Sequence, residues 1–389
     1  RIEPPPRVVP ERVRRLLVRI GFLETRPVKI EYFARRPRRR RMVQIDYRRI
    51  CILSPVSPVR HPNLRNFRPL FNRSGLTFRK NMVYFIKANH VFQYGRAPVS
   101  MNKNKVIYLD NNATTAVDPE VFEAMRPFFC ERYGNPSSIH RFGGSVAAEI
   151  EEARRRVADL LGSSFRDSDG NASEIIFTSC GSEGDNAAIN AAVYARPGRN
   201  KIVTTIVEHP GVLAYCKELS RRGFEIEYIP VDERGRLDLA YAERAIDEAT
   251  AVVSVMWANN ETGTIFPVET VAGMAHAKGA LFHSDAVQAA GKVPIRLDSS
   301  EIDFLTISGH KLHAPKGVGA LFVRRGTRFK PLIFGGHQEK GRRGGTENVA
   351  SIIGLGKACE LAARNLAVES VQLTRLRSRR PSGLRKTMS

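Results

Sequence analysis

The 389-residue chain is poor in cysteine and has no CxxC pair. Its five cysteines, Cys51, Cys130, Cys180, Cys216 and Cys359, are widely spaced. That usage excludes a disulfide scaffold and a zinc ribbon, and it fits a reducing, cytoplasmic compartment. No apolar run reaches the roughly 18 residues of a spanning helix, so no membrane partner is expected. No short hydrophobic stretch with a small-residue cleavage site opens the chain, which speaks against a secretory signal. There is no GxGxxG after a first strand and no GxxxxGKS/T, which removes the usual dinucleotide and nucleotide loops.

Acidic residues are scarce only at the ends. The formal net charge is +23, yet residues 1–100 alone hold 24 Lys and Arg against 5 Asp and Glu. Residues 372–389 hold six basic residues and no acidic one, which leaves residues 101–371 at −2. The charge therefore describes the ends, and no nucleic-acid partner is expected for the middle. Residues 1–100 also carry 11 of 22 prolines and only 3 of 30 glycines. Such a segment is expected to be a basic, Pro- and Arg-rich leader, disordered or non-native. A transit peptide, a nucleic-acid-binding arm and non-coding sequence translated ahead of Met101 all fit it. Residues 372–389 read as a basic, aberrant tail.

From residue 106 the chain alternates apolar strands with amphipathic helices. Asp118-Pro119 caps a helix expected to run to about Tyr133. A second helix spans about 145–161, with Val146, Ile150, Ala153, Val157 and Leu161 at helical spacing. Strands are expected at 174–178, 201–207, 224–230, 251–257, 280–284, 302–308 and 319–325. Helices are expected at about 183–195, 211–222, 238–248 and 267–278. Strands buried on both faces read as continuous apolar runs, and strand–helix alternation implies an α/β fold with a mostly parallel central sheet.

Ligands of such sheets gather at the carboxyl ends of the strands, and the chemically unusual residues lie there. Thr178-Ser179-Cys180-Gly181-Ser182-Glu183 leads into a helix N-terminus, a place suited to phosphate as well as to an ordinary cap. Asn259, Asn260 and Glu261 follow the fourth strand. Asp285, with Gln288 one turn on, follows the fifth. Ser308-Gly309-His310-Lys311 follows the sixth, where a desolvated Lys311 becomes a nucleophile. Each feature has a plain structural reading: a cap, a snorkelling lysine, a core histidine. Together they match what pyridoxal 5′-phosphate requires: a Schiff-base lysine, an acid for its ring nitrogen, a donor for its ring oxygen and a phosphate cradle. His310 and His313 lack a Cys or carboxylate cluster, so no metal site is expected.

At these residues the chain resembles the class V aminotransferases of the fold-type I pyridoxal-phosphate superfamily, and within them the nitrogenase-type cysteine desulfurases. The resemblance covers about 101–377. It rests on Tyr108 through Thr115, Gly134 through Ser138, Phe177 through Asn186, Glu208-His209-Pro210, Val255 through Gly263, His283 through Gln288, Ser308 through Gly319 and Gly335 through Asn348. It implies that Lys311 binds the cofactor covalently and that His209 stacks on the ring as an acid–base group. It implies that Asp285 keeps the ring nitrogen protonated and that Asn260 and Gln288 meet the ring oxygen. Gly181, Ser182, Ser308, Gly309 and His310 would hold the phosphate, and Thr346 would reach the phosphate of the neighbouring subunit in a homodimer. Ser182 stands where a Thr is usual. The implied reaction takes sulfur from L-cysteine to an iron–sulfur scaffold, with nitrogenase as destination. The family's persulfide-forming Cys and carboxylate-binding Arg fall beyond Ser389, so an incomplete enzyme without most of its small C-terminal domain is expected. The division implied is leader 1–100, cofactor-binding domain 101–371 and tail 372–389.

Overall fold

A computed structural model describes residues 108–378; the leader 1–100 and the tail beyond 378 lie outside the described residues. Asp118 caps α1 (Pro119–Met125), its side chain accepting from the Glu120 N–H. The helix does not reach Tyr133. Pro127 lacks an N–H and restarts the chain as a four-residue helix, α2 (Pro127–Cys130). α3 (Arg141–Leu160) buries Val146, Ile150, Ala153 and Val157, the stripe read from helical spacing.

All seven expected strands form. In chain order there follow β1 (Ile175–Thr178), α4 (Gly181–Ala195), β2 (Lys201–Thr205), α5 (Pro210–Arg221), β3 (Glu225–Ile229) and α6 (Leu239–Ala245). Then come β4 (Thr250–Ser254), α7 (Val268–Ala277), β5 (Leu281–Asp285), β6 (Phe304–Ser308), β7 (Gly319–Val323) and α8 (Val349–Ser378). They make one sheet in the order β1-β7-β6-β5-β4-β2-β3. β7 is antiparallel to β1 and β6, and the other pairings are parallel. α8 carries helix through 372–378, the first residues of the basic tail.

Successive strand residues point to opposite faces. Ile175, Phe177, Phe282 and Phe322 join one apolar layer, with α3, α7 and the first half of α8. Ile176, Leu281, Phe304 and Leu321 join the other, with α4 and α5. β1 and β3 are the edge strands, and β3 is the least buried. No helix among the described residues is long and apolar enough to cross a membrane. The sheet thus brings the ends of β1, β4, β5 and β6 to one rim.

Candidate active site

Lys311 lies in a single 3₁₀ turn, Gly309–Lys311, directly after β6. Its ammonium donates to the carbonyl oxygens of Asn112 and of Ala113, the latter at 3.0 Å. Burial lowers its pKa, against the opposing pull of Asp285, Asp110 and Glu261. Residues 110–116 form a strap over this turn. The Thr115 N–H and hydroxyl both donate to the His310 carbonyl at 2.9 Å. His310 Nδ1 pairs with the Thr114 hydroxyl at 3.1 Å, and Gln288 Nε2 donates to the Asn112 carbonyl at 3.0 Å. The strap holds Lys311, His310 and Gln288 together, and Asn112 Nδ2 reaches the Asn260 carbonyl at 3.2 Å. His313 Nδ1 also faces the strap, at the Ala116 carbonyl.

Asp285 closes β5 and is buried, accepting from the Val287 N–H at 2.8 Å. Burial raises its pKa; the Val287 bond and the charges of His209 and Lys311 oppose that rise. His209 is exposed and caps α5, its Nδ1 accepting from the Gly211 N–H at 3.1 Å. With Nδ1 accepting, the neutral ring carries its proton on Nε2.

The rim also holds a candidate anion cradle. α4 begins at Gly181 after Cys180, and the first N–H groups of a helix lack intrahelical partners. A Cβ on Gly181 would stand 3.5 Å from that of Ser308, so the helix start and the end of β6 adjoin. The Ser308 hydroxyl is buried without a hydrogen-bond partner. A small-residue helix start beside an unpartnered hydroxyl fits a phosphate. Gly309 is buried behind it, its N–H donating to the Val318 carbonyl at 2.9 Å. Burial and the Lys311 charge lower the His310 pKa, which makes its imidazole a neutral neighbour of that cradle. Asn260 is half-buried, its amide turned to Glu261 at 2.6 Å. Thr346 is exposed on the loop after Arg343, and Arg343 binds Glu183 of α4 at 2.9 and 3.2 Å.

Sequence reasoning missed the buried groups beneath the rim. Glu208 is buried, accepting from the Thr205 hydroxyl and the Met256 N–H, and burial pushes its carboxyl up to about 8. His283 is buried between the Ser254 hydroxyl at 2.9 Å and the Thr306 hydroxyl at 3.0 Å, and burial pushes it down to about 3. Asp185 of α4 is buried, and side-chain atoms of Asp185, His209 and Asp285 lie within 4.8 Å of one another. A polar side chain five residues into an apolar helix, where β5 must pass, was the available signal. The thiols are elsewhere: Cys216 and Cys359 are buried and pushed up to about 12, Cys130 is exposed, and Cys180 is half-buried at the start of α4. Cys51 lies outside the described residues.

Residues 107–379 match the family described as Aminotransferase class-V. A cysteine desulfurase of Trichormus azollae is 56% identical over 274 residues, which cover 70% of this chain and 67% of that one. The cysteine desulfurase NifS of Azotobacter vinelandii is 54% identical over 278 residues, covering 72% and 68%. A solved NifS-like protein superposes with a TM-score of 0.67 at 44% identity, covering 70% of this chain and 74% of that one. The fold, the rim of strand ends and these likenesses together place the chain in the class-V aminotransferase family, whose members depend on pyridoxal phosphate, among its cysteine desulfurases.

Proposed function

We propose that the chain is a cysteine desulfurase that holds pyridoxal phosphate on Lys311 and acts on L-cysteine. The observation that carries this reading is the meeting of Lys311, Asp285 and the unpartnered Ser308 hydroxyl with the α4 start at one sheet rim. When bound, the cofactor supplies an electron sink that lets the α-proton of an amino acid leave.

The chain's own groups do the rest. The Asn112 and Ala113 carbonyls hold the Lys311 ammonium in place, while burial eases loss of its proton. Asp285 holds a proton at the ring nitrogen. His209 moves protons through Nε2, since Nδ1 is tied to Gly211. Asn260 and Gln288 lie beside the strap for the ring oxygen. Gly181, Ser182, Ser308 and His310 would hold the phosphate, with Gly309 packed behind them and its N–H given to the Val318 carbonyl, and Thr346 would serve the site of a second subunit in a homodimer. In the complete reaction L-cysteine and an enzyme thiol give L-alanine and an enzyme persulfide, which passes sulfur to an iron–sulfur scaffold. We place this chemistry in the cytoplasm and in the service of nitrogenase, with residues 101–371 as the cofactor-binding unit.

The test is spectroscopic. Purified chain mixed with pyridoxal phosphate develops a visible absorbance band that survives gel filtration and shifts on addition of L-cysteine. Lys311→Ala loses the band. A wild-type chain without it, or a Lys311→Ala variant that keeps it, refutes the assignment.

A further inference from the structure

Asp185 has no role in the reading above, yet it is 1% exposed and neither of its carboxyl oxygens has a hydrogen-bond partner. An ionised carboxylate in that position would be costly. Among the described residues, the basic side chain within 4.0 Å of it is His283, whose Nε2 stands 3.6 Å from Oδ1. That imidazole is no counter-charge. It is fully buried, sits between the Ser254 and Thr306 hydroxyls, and stays neutral. The helix dipole does not supply one either, because it acts within the first turn and Asp185 is the fifth residue of α4.

The groups facing Asp185 come from every neighbouring element. Asp285 and His283 stand on β5, Thr306 on β6, Glu208 and His209 on the β2–α5 turn, and Cys180 at the start of α4. Burial first, then the Asp285 charge, press its carboxyl toward the protonated form, against the opposing pull of the Thr306 hydroxyl. A protonated carboxyl is a donor and needs an acceptor. His209 Nδ1 already accepts from Gly211. Asp285 has lone pairs to spare beyond its bond from Val287.

We propose that Asp185 is a positioning residue of this site: its carboxyl carries a proton and presents it to the Asp285 carboxylate, which keeps Asp285 ionised as the partner of the cofactor's ring nitrogen. The inference rests on the cofactor reading for its purpose, but not for the protonation state. Burial alone drives Asp285 toward a neutral acid, which could not hold a protonated ring. A second carboxylate beside it would push it further the same way. A neutral donor removes the repulsion and adds a hydrogen bond to the charged form.

Two measurements on the full chain test this. Difference infrared spectra of ligand-free protein at neutral pH show a protonated-carboxyl stretch that disappears in Asp185→Asn and is distinct from the one lost in Glu208→Gln. Titration with pyridoxal phosphate, followed by absorbance, shows affinity about tenfold or more weaker in Asp185→Ala, and restored to within about threefold of wild type in Asp185→Asn, whose amide can donate as the acid does. If no carboxyl band is lost in Asp185→Asn, the group is ionised and the proposal fails. If Asp185→Asn binds as poorly as Asp185→Ala, the charge matters and the proposal fails. Should Asp185→Ala not fold, the infrared comparison decides. Failure of the wild-type chain to bind the cofactor would refute the proposed function and leave the infrared result standing.

Discussion

Arg154 and Glu339 form a two-pronged ion pair across 185 residues, Nη1 to Oε2 at 2.6 Å and Nη2 to Oε1 at 3.0 Å. Both side chains are buried. Glu339 also accepts from the Phe177 N–H, and Arg154 donates to the Ile175 carbonyl, so the pair joins α3 and β1 to the loop that bears Arg343 and Thr346. Glu339 itself adopts a left-handed φ of 50°, a strained backbone kept by these bonds.

Glu339→Ala leaves the Arg154 guanidinium buried with Glu151 as its remaining carboxylate and the Ile175 carbonyl as its backbone acceptor. The expected loss is about 3–5 kcal/mol in urea unfolding. A loss below about 1 kcal/mol would show that Glu151 suffices and that the pair is dispensable.

Glu208 makes stability depend on pH. Its carboxyl titrates at about 8 in the fold and at 4.5 when unfolded. Below 4.5 both states hold the proton; between 4.5 and about 8 only the folded state does. Its contribution is therefore fully present in acid and falls by up to about 1.4 kcal/mol per pH unit as pH rises through that window. Glu208→Gln cannot ionise, so its stability relative to wild type should climb between pH 5 and pH 8. Parallel stability curves for the two proteins would disprove this.

Gly319 lies in β7 with backbone on both sides. A Cβ there would stand 2.8 Å from the Ile307 carbonyl oxygen, 2.9 Å from the Thr178 hydroxyl and 3.0 Å from the Cys180 carbonyl carbon. Gly319→Ala should cost about 1–3 kcal/mol and shift the start of α4. Weaker cofactor binding should accompany it. Unchanged melting and binding would mean that β1 and β6 can part without disturbing the cradle.

The strands were legible because a strand buried on both faces is mostly apolar, as in Ala251–Val253 and Ala320–Val323. Pro127, which cannot donate an N–H to the preceding turn, marks the break inside a stretch whose periodicity predicts one helix. Lys311, Asp285 and Gly181–Ser182 are legible only as a set: each alone reads as a cap or a snorkelling side chain, but together they follow successive buried strands at one rim. Asp185 and Glu208 did not stand out. Each follows an ordinary cap or turn in sequence, and only the approach of α4 to β5 and to the β2–α5 turn makes them buried. Arg154 was equally hidden. In α3 it reads as one of three consecutive arginines, and Glu339 is too distant in sequence to suggest its partner.

The strap over Lys311 gives the last prediction. Thr115 is 5% exposed; its hydroxyl donates to the His310 carbonyl and accepts from the His313 N–H, both at 2.9 Å. His313 has a φ of 60°, so the turn after Lys311 is strained and depends on that bond. Thr115→Val keeps the shape and removes both bonds, leaving a donor unsatisfied and the carbonyl with only the Thr115 N–H. The expected cost is about 1–3 kcal/mol, with slower covalent capture of pyridoxal phosphate as Lys311 loses its fixed approach. Thr115→Ser keeps the hydroxyl and should restore both. If Thr115→Val lowers stability but captures the cofactor at the wild-type rate, the strap braces the fold without positioning the lysine.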